Sequence, residues 1–310
     1  MTDGGLVAVV TFVLSIGALW VGADAFVSSA AGVARRFGLS ELVVGLTVVA
    51  MGTSAPEAAV SIDAALVGNG DIAVANVVGS NLFNVGIVLG GVAAVVGVRS
   101  SSRMVRRDGI AMILSTVLLL ALLWDVRLSR FDGVVLLVAF VGYLVVLFAR
   151  PDESVQETPT DEREATWQTA LLLLGGLGAV VVGAQFLVES AVFIAEAAGL
   201  SEWVIGETIV AVGTSTPEIA ASVAAARKGM GDIAAGNLIG SNVFNALLVL
   251  GITSTLTPIE VAEPAVGTTV WLLGLCVLTA AFLGTNGKLG RLEGAVLVGI
   301  NMSRWILDVF

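Results

Sequence analysis

Glu57 closes the stretch G-T-S-A-P-E (52–57), and Glu218 closes G-T-S-T-P-E (213–218), 161 residues later. Both stretches interrupt long apolar runs. A carboxylate in lipid is costly and marks an ion or substrate path by default. At the same offset, G-S-N-L-F-N (79–84) recurs as G-S-N-V-F-N (240–245). Setting 38–84 against 199–245 needs no gap and leaves 29 of 47 positions identical, so the chain is two copies of one unit. Duplicated, broken, acidic hydrophobic segments are the best sequence pointer to a transporter's binding site.

The residue types say what such a site would hold. Pro56 lacks a backbone N–H, and its ring crowds the carbonyl four residues back, at Gly52. Gly52 tolerates unusual dihedrals. A local unwinding that frees carbonyls such as those of Ala50 and Thr53 is therefore expected. Carbonyls freed at membrane depth need a partner, and a cation is one. Ala211, Gly213, Thr214, Ser215, Pro217 and Glu218 repeat the arrangement. Ser80 and Asn84 are four apart, as are Ser241 and Asn245, so each pair shares a helix face. Gly79 and Gly240 are expected to let these segments approach the broken helices closely. The sum is carboxylates, carbonyls, hydroxyls and amides. These are hard oxygen ligands, which Ca²⁺ prefers and Na⁺ can share. Two ionised glutamates also match the charge of one divalent ion.

Other polar residues are read differently. Asp24, Asp63, Glu189 and Glu207 have no acidic counterpart at the repeat offset, which points to helix-end, cavity-facing or interhelical roles. Glu41 and Glu202 follow Ser40 and Ser201 in a helix-start pattern, so capping is expected there. Asp71 and Asp232, each after a glycine, also read as N-terminal caps.

Composition sets the solvent. Hydrophobic residues make up 57% of the chain and charged ones 13%, with mean hydropathy +0.99. Soluble domains carry about 25% charged residues, so a polytopic membrane protein is expected. The first apolar run is long and lacks a basic leader before it, and it reads as a membrane helix. The chain has no histidine, which removes histidine-ligated metals, bases and proton relays together. A single cysteine, Cys276, leaves no intramolecular disulfide. A net charge of −10 with only two lysines argues against nucleic acid.

Ten apolar segments are long enough to span: 5–33, 41–67, 72–98, 109–125, 132–149, 168–196, 203–226, 233–256, 265–284 and 291–308. One acidic, proline-containing linker, 151–165, separates a first five-helix half (1–150, repeat core 38–84) from a second (166–310, repeat core 199–245). An odd number of spans per half makes the second copy enter the membrane from the opposite side. The expected fold is all-α, with ten transmembrane helices as two inverted five-helix repeats. Their broken helices, the second and seventh, would meet at the midplane. With the N-terminus outside, 12 of the 15 basic residues fall in inner loops, which places both termini outside and the linker in the cytoplasm. The long first and sixth spans align through Gly22 with Gly183 and Ser29 with Ser190, and are expected to form a moving gate.

These motifs resemble the α-repeats of the sodium/calcium exchanger family, in its microbial form, within the wider cation/Ca²⁺ antiporter superfamily. The resemblance covers nearly the whole chain. It implies a central Ca²⁺ site made by Glu57, Glu218 and the carbonyls of Thr53 and Thr214. It also implies Na⁺ sites made by Ser54, Ser215, Ser80, Ser241, Asn84, Asn245 and the carbonyls of Ala50 and Ala211, sharing the same two glutamates. Proton-coupled relatives typically carry G-N-x-x-E, so G-T-S-x-P-E resembles the Na⁺-coupled branch. Some members have Asp at the position of Asn245, and its absence argues against K⁺ coupling. The family implies three Na⁺ for one Ca²⁺.

The function expected is therefore a secondary antiporter in the cell membrane that exchanges Na⁺ for Ca²⁺, with no cofactor and no obligatory protein partner. The alternative is a divalent cation/H⁺ exchanger using the same glutamates. A cation channel would also place acids in a pore, but would show no obligatory counter-transport. With no H-E-x-x-H and no G-x-S-x-G, an intramembrane enzyme has no motif to support it.

Overall fold

The computed structural model describes residues 3–99, 104–149, 167–197, 211–262 and 264–309. The linker 151–165 and the first part of the seventh expected span, 203–210, lie outside these residues.

The first half begins with α1 (Asp3–Phe37), followed by α2 (Glu41–Thr53) and α3 (Ala55–Leu66), which meet at a 47° bend. Then come α4 (Gly70–Val96), α5 (Met104–Asp125) and α6 (Arg130–Ala149). The second half begins with α7 (Trp167–Ala197), followed by α8, described from Ala211 (Ala211–Thr214), and α9 (Thr216–Arg227). It ends with α10 (Gly231–Leu256), α11 (Pro264–Asn286) and α12 (Arg291–Val309). Among the described residues, seven helices are long and apolar enough to cross a membrane, and α2 with α3 makes an eighth if counted as one bent span. The tenth expected span is helical as α12, but Arg291, Glu293, Arg304 and Asp308 make it the most polar of the long helices.

The break in the second span is narrower than expected. Only Ser54 leaves helical geometry (φ −83°, ψ 6°), and Ser215 does the same between α8 and α9 (φ −90°, ψ 8°). Pro56 and Pro217 fall in the first turns of α3 and α9, where a missing N–H does least harm. Ser40 caps α2 as expected by accepting from the Val43 N–H at 3.3 Å. Asp71 does not cap α4. It accepts from the Ala262 N–H at 2.5 Å, tying the two halves together.

Two small antiparallel ladders join the halves as well. β1 (Val98–Arg99) pairs with β4 (Lys288–Leu289), and β2 (Arg127–Leu128) pairs with β3 (Ile259–Glu260). Adding 161 to Val98 gives Ile259, and adding 161 to Leu128 gives Leu289, so the register of one ladder maps onto that of the other.

Burial sorts the helices into a centre and a periphery. The apolar window of α10 is 94% buried, and that of α7 only 22%. The centre is α4 and α10, against which α2, α3 and α9 pack. Small residues permit this. A Cβ on Gly240 would sit 2.6 Å from the Leu46 carbonyl, and one on Gly45 2.9 Å from that of Ile233. The counterpart of Leu46 at the repeat offset, Glu207, lies outside the described residues, so the expectation for Gly79 finds no facing segment there. α1 and α7 run along one another at the periphery. Gly22 and Gly176 set that approach, since a Cβ on Gly176 would lie 2.7 Å from the Phe26 nitrogen.

Candidate ion-binding site

The bend at Ser54 and its copy at Ser215 turn both motif acids inward. Glu57 and Glu218 are fully buried, as are Thr53, Ser54, Ser215, Asn84, Ser241 and Asn245; Ser80 is 5% exposed. The hydroxyls cross between halves. Ser54 Oγ donates to Glu218 Oε1 at 2.9 Å, and Ser215 Oγ reaches Glu57 Oε1 at 3.5 Å. Sequence reasoning placed these four residues in one site, and the structure brings them together. Thr214 is partly exposed, and the side chain of Ala211 lies outside the described set.

The other oxygen of each glutamate has no hydrogen-bond partner among the described residues. Nor do Asn84 Oδ1, Asn242 Oδ1 and Asn245 Oδ1. A buried acceptor left unpaired costs about 1–3 kcal/mol, and more when charged. The two unpaired carboxylate oxygens, on Glu57 and Glu218, are what a cation would satisfy. No group of three or more acidic, cysteine or histidine side chains placed to hold a metal ion occurs among the described residues. The donor set is instead two carboxylates with neutral oxygens, which suits an ion that must leave again.

The Ala50 carbonyl is not stripped of its helical partner, as the sequence suggested. It accepts from the Ser54 N–H at 3.0 Å, and Ser241 Oγ comes within 3.5 Å. Its helical bond survives because Pro56 withdraws an N–H from Gly52, not from Ala50.

Sequence reasoning missed a supporting shell of amides. Asn237 Nδ2 donates to Ser222 Oγ at 3.0 Å and to the Glu218 carbonyl at 3.5 Å, while its Oδ1 accepts from Thr53 Oγ1 at 3.1 Å. Asn76 holds Ser61 Oγ at 2.9 Å and the Glu57 carbonyl at 3.1 Å in the same way. Asn81 Nδ2 donates to the Asn242 carbonyl at 3.0 Å, and Asn242 Nδ2 returns the bond to the Asn81 carbonyl at 3.2 Å. Asn245 Nδ2 donates to Asn81 Oδ1 at 3.2 Å. The signal was present: Ser61, Asn76 and Asn81 are all identical at the repeat offset.

Two of the unduplicated acids, Asp24 and Glu189, have partners outside the site, and Glu207 lies outside the described residues. Asp24 forms an interhelical ion pair with Lys228 at 2.6 Å, and Glu189 accepts from Gln185 within α7 at 3.0 Å.

Buried carboxylates beside breaks in two apolar helices are features that secondary membrane transporters place near the bilayer midplane. The sequence profile described as "Sodium/calcium exchanger protein" matches residues 7–149 and 168–300. The chain belongs to the sodium/calcium exchanger family. It is 37% identical over 94% of its length to CaxA of Alkalimonas amylolytica, a protein named for antiport, covering 96% of it. It is 33% identical over 89% of its length to the sodium/calcium exchanger MaX1 of Methanosarcina acetivorans, covering 91% of that chain. Among solved structures it is similar to the sodium-calcium exchanger NCX_Mj, with a TM-score of 0.85 and 30% identity, covering 96% of this chain and 97% of that one. The chain is thus a multi-pass membrane protein of a transporter family rather than an enzyme family.

Proposed function

We propose that the chain is a secondary antiporter that exchanges Na⁺ for Ca²⁺ across the cell membrane by alternating access. The observation that carries this reading is the crossed pair Ser54–Glu218 and Ser215–Glu57, with an unpartnered carboxylate oxygen on each glutamate. The Ca²⁺ ligands are Glu57, Glu218 and the carbonyls of Thr53 and Thr214. The Na⁺ ligands are the same glutamates with Ser54, Ser215, Ser80, Ser241, Asn84, Asn245 and the carbonyls of Ala50 and Ala211. Both ions draw on the two glutamates, so full Na⁺ occupancy excludes Ca²⁺. Three Na⁺ against one Ca²⁺ makes each cycle electrogenic, and the inward Na⁺ gradient drives Ca²⁺ out.

The architecture in this reading is ten helices in two inverted repeats, with α2–α3 and α8–α9 as the broken second and seventh spans. The paired ladders and the crossed hydroxyls support it, since both map onto themselves when the halves are exchanged. Both termini lie outside and the 151–165 linker inside. α1 and α7 form the gate, because they pack mainly on each other at the rim.

The test is ⁴⁵Ca²⁺ uptake into proteoliposomes with an outward Na⁺ gradient at clamped pH. Uptake driven by Na⁺ supports the reading. Uptake driven only by a proton gradient would establish the divalent cation/H⁺ alternative. Flux without any counter-ion would mean a channel.

A further inference from the structure

A cavity of about 410 Å³ lies between α1 and α9; its lining includes Ile219 and Ala220, next to Glu218 in sequence, but not Glu218 itself. That is within the range of small-molecule pockets, roughly 300–1,000 Å³. Its wall is apolar, with Leu19, Trp20 and Val223, and Trp20 is 59% exposed. Its rim carries Asp24, Arg227 and Lys228.

The rim charges do not cancel. Lys228 Nζ bonds Asp24 Oδ1 at 2.6 Å and Ser28 Oγ at 2.9 Å. Arg227 has no carboxylate partner among the described residues. Its guanidinium lies over the Trp20 ring, 4.1 Å from the centroid. A free cation therefore sits at the mouth, on a chain whose net charge is −10.

The rim also has a fixed depth. Lys228, Gly229 and Met230 form the turn between α9 and α10. Irregular backbone facing lipid does not occur within the hydrocarbon. The turn therefore lies at the membrane surface, and the apolar wall extends below it. Such a site takes an amphipath with an anionic head at the surface and a chain beneath.

We propose that this cavity binds one anionic phospholipid. Its phosphate lies on the Arg227 guanidinium, whose planar fork suits phosphate oxygens. One acyl chain runs along Leu19, Trp20 and Val223. The repeat offset places Leu66 and Val67 at the positions of Arg227 and Lys228, and Val181 and Gln185 at those of Trp20 and Asp24. The second half thus offers no copy, and the stoichiometry is one lipid per chain. On the proposed orientation this lipid belongs to the cytoplasmic leaflet, where anionic lipids are enriched.

The experiment reads Trp20 fluorescence in nanodiscs containing brominated phosphatidylglycerol or brominated phosphatidylcholine. The Trp20 signal is the difference between wild type and Trp20→Phe, which leaves the other tryptophans in place. The expected result is about fivefold stronger quenching by the anionic lipid, falling to parity in Arg227→Gln. Equal quenching by the two lipids, or a preference that survives Arg227→Gln, overturns the proposal. Native mass spectrometry of the detergent-purified protein gives a second reading. One phosphatidylglycerol should be retained by the wild type and none by Arg227→Gln, and equal retention also overturns the proposal. Neither measurement involves transport, so the antiport reading stands or falls separately.

Discussion

Ser54 in one half donates its hydroxyl to Glu218 in the other, at 2.9 Å. The hydroxyl holds one carboxylate oxygen and leaves Oε2 without a hydrogen-bond partner among the described residues. A serine on the first broken helix thus positions the acid of the second, and Ser215 reaches Glu57 in return at 3.5 Å. Neither half makes this crossed pair alone.

Replacing Glu57 or Glu218 with Gln removes one of the two charges that oppose Ca²⁺. Each variant should lose at least tenfold in Ca²⁺ affinity, the effect of about 1.4 kcal/mol, and with it measurable exchange. Isothermal titration of the purified protein with Ca²⁺, alongside ⁴⁵Ca²⁺ flux, checks both parts. Exchange at the wild-type rate by either variant would remove the assignment.

The serines should separate the two ions. Ser54→Ala and Ser215→Ala each delete a neutral hydroxyl and leave both carboxylates. The Na⁺ dependence of exchange should shift by more than the Ca²⁺ dependence. Paired titrations of each variant decide it, and equal shifts in both would mean that the hydroxyls serve one common site. Ser54→Ala should have the larger effect of the two, because its bond to glutamate is the shorter.

The outline of this site was legible in the sequence because duplication filters noise. A glutamate that recurs at a fixed offset inside an apolar run has few packing reasons to be there. The bend was placed two residues too broadly, between Gly52 and Pro56, because proline's effect on the preceding turn is predictable but its relief is not. The chain resolved it at Ser54 alone, in the first turn before α3. The amides were passed over for a different reason. Asn76, Asn81 and Asn237 are identical or paired across the repeat, yet an asparagine in a helix looks the same whether it faces a ligand or a neighbouring carbonyl. Only the fold shows that Asn237 bonds both Thr53 and Ser222. Asp71 was misread because a helix-start acid is ambiguous until the strand-like segment at 259–262 is seen to come against it.

Asn237 is therefore expected to matter for stability more than for charge. Replacing it with Leu removes the bond to Ser222 Oγ and the longer contact to the Glu218 carbonyl, while Thr53 Oγ1 keeps the Val49 and Ala50 carbonyls. Each buried group left unpaired costs about 1–3 kcal/mol, so a clear fall in the midpoint of thermal unfolding in detergent is expected. Asn237→Asp keeps the acceptor for Thr53 and should retain part of that stability. If Asn237→Leu melts with the wild type, the amide bonds carry no net stability.

The last prediction concerns movement. An ion pair between Asp24 and Lys228, 2.6 Å apart, ties α1 to α9 beside the apolar packing of Phe26, Val27 and Ala30. If α1 slides past α9 during each cycle, this contact must open and close. Asp24→Cys with Lys228→Cys, bridged by a short bis-methanethiosulfonate that forms a disulfide with each cysteine, would hold α1 in place. The native Cys276 is fully buried and should not compete for the reagent. The bridged protein should still bind Ca²⁺ in a titration, because both glutamates are untouched, and should exchange at no measurable rate. Cleaving the bridge with a reductant should restore exchange to the level of the unbridged double variant. A bridged protein that exchanges as fast as its reduced form would show that α1 stays still, and the gate would have to be sought among the helices around α4 and α10.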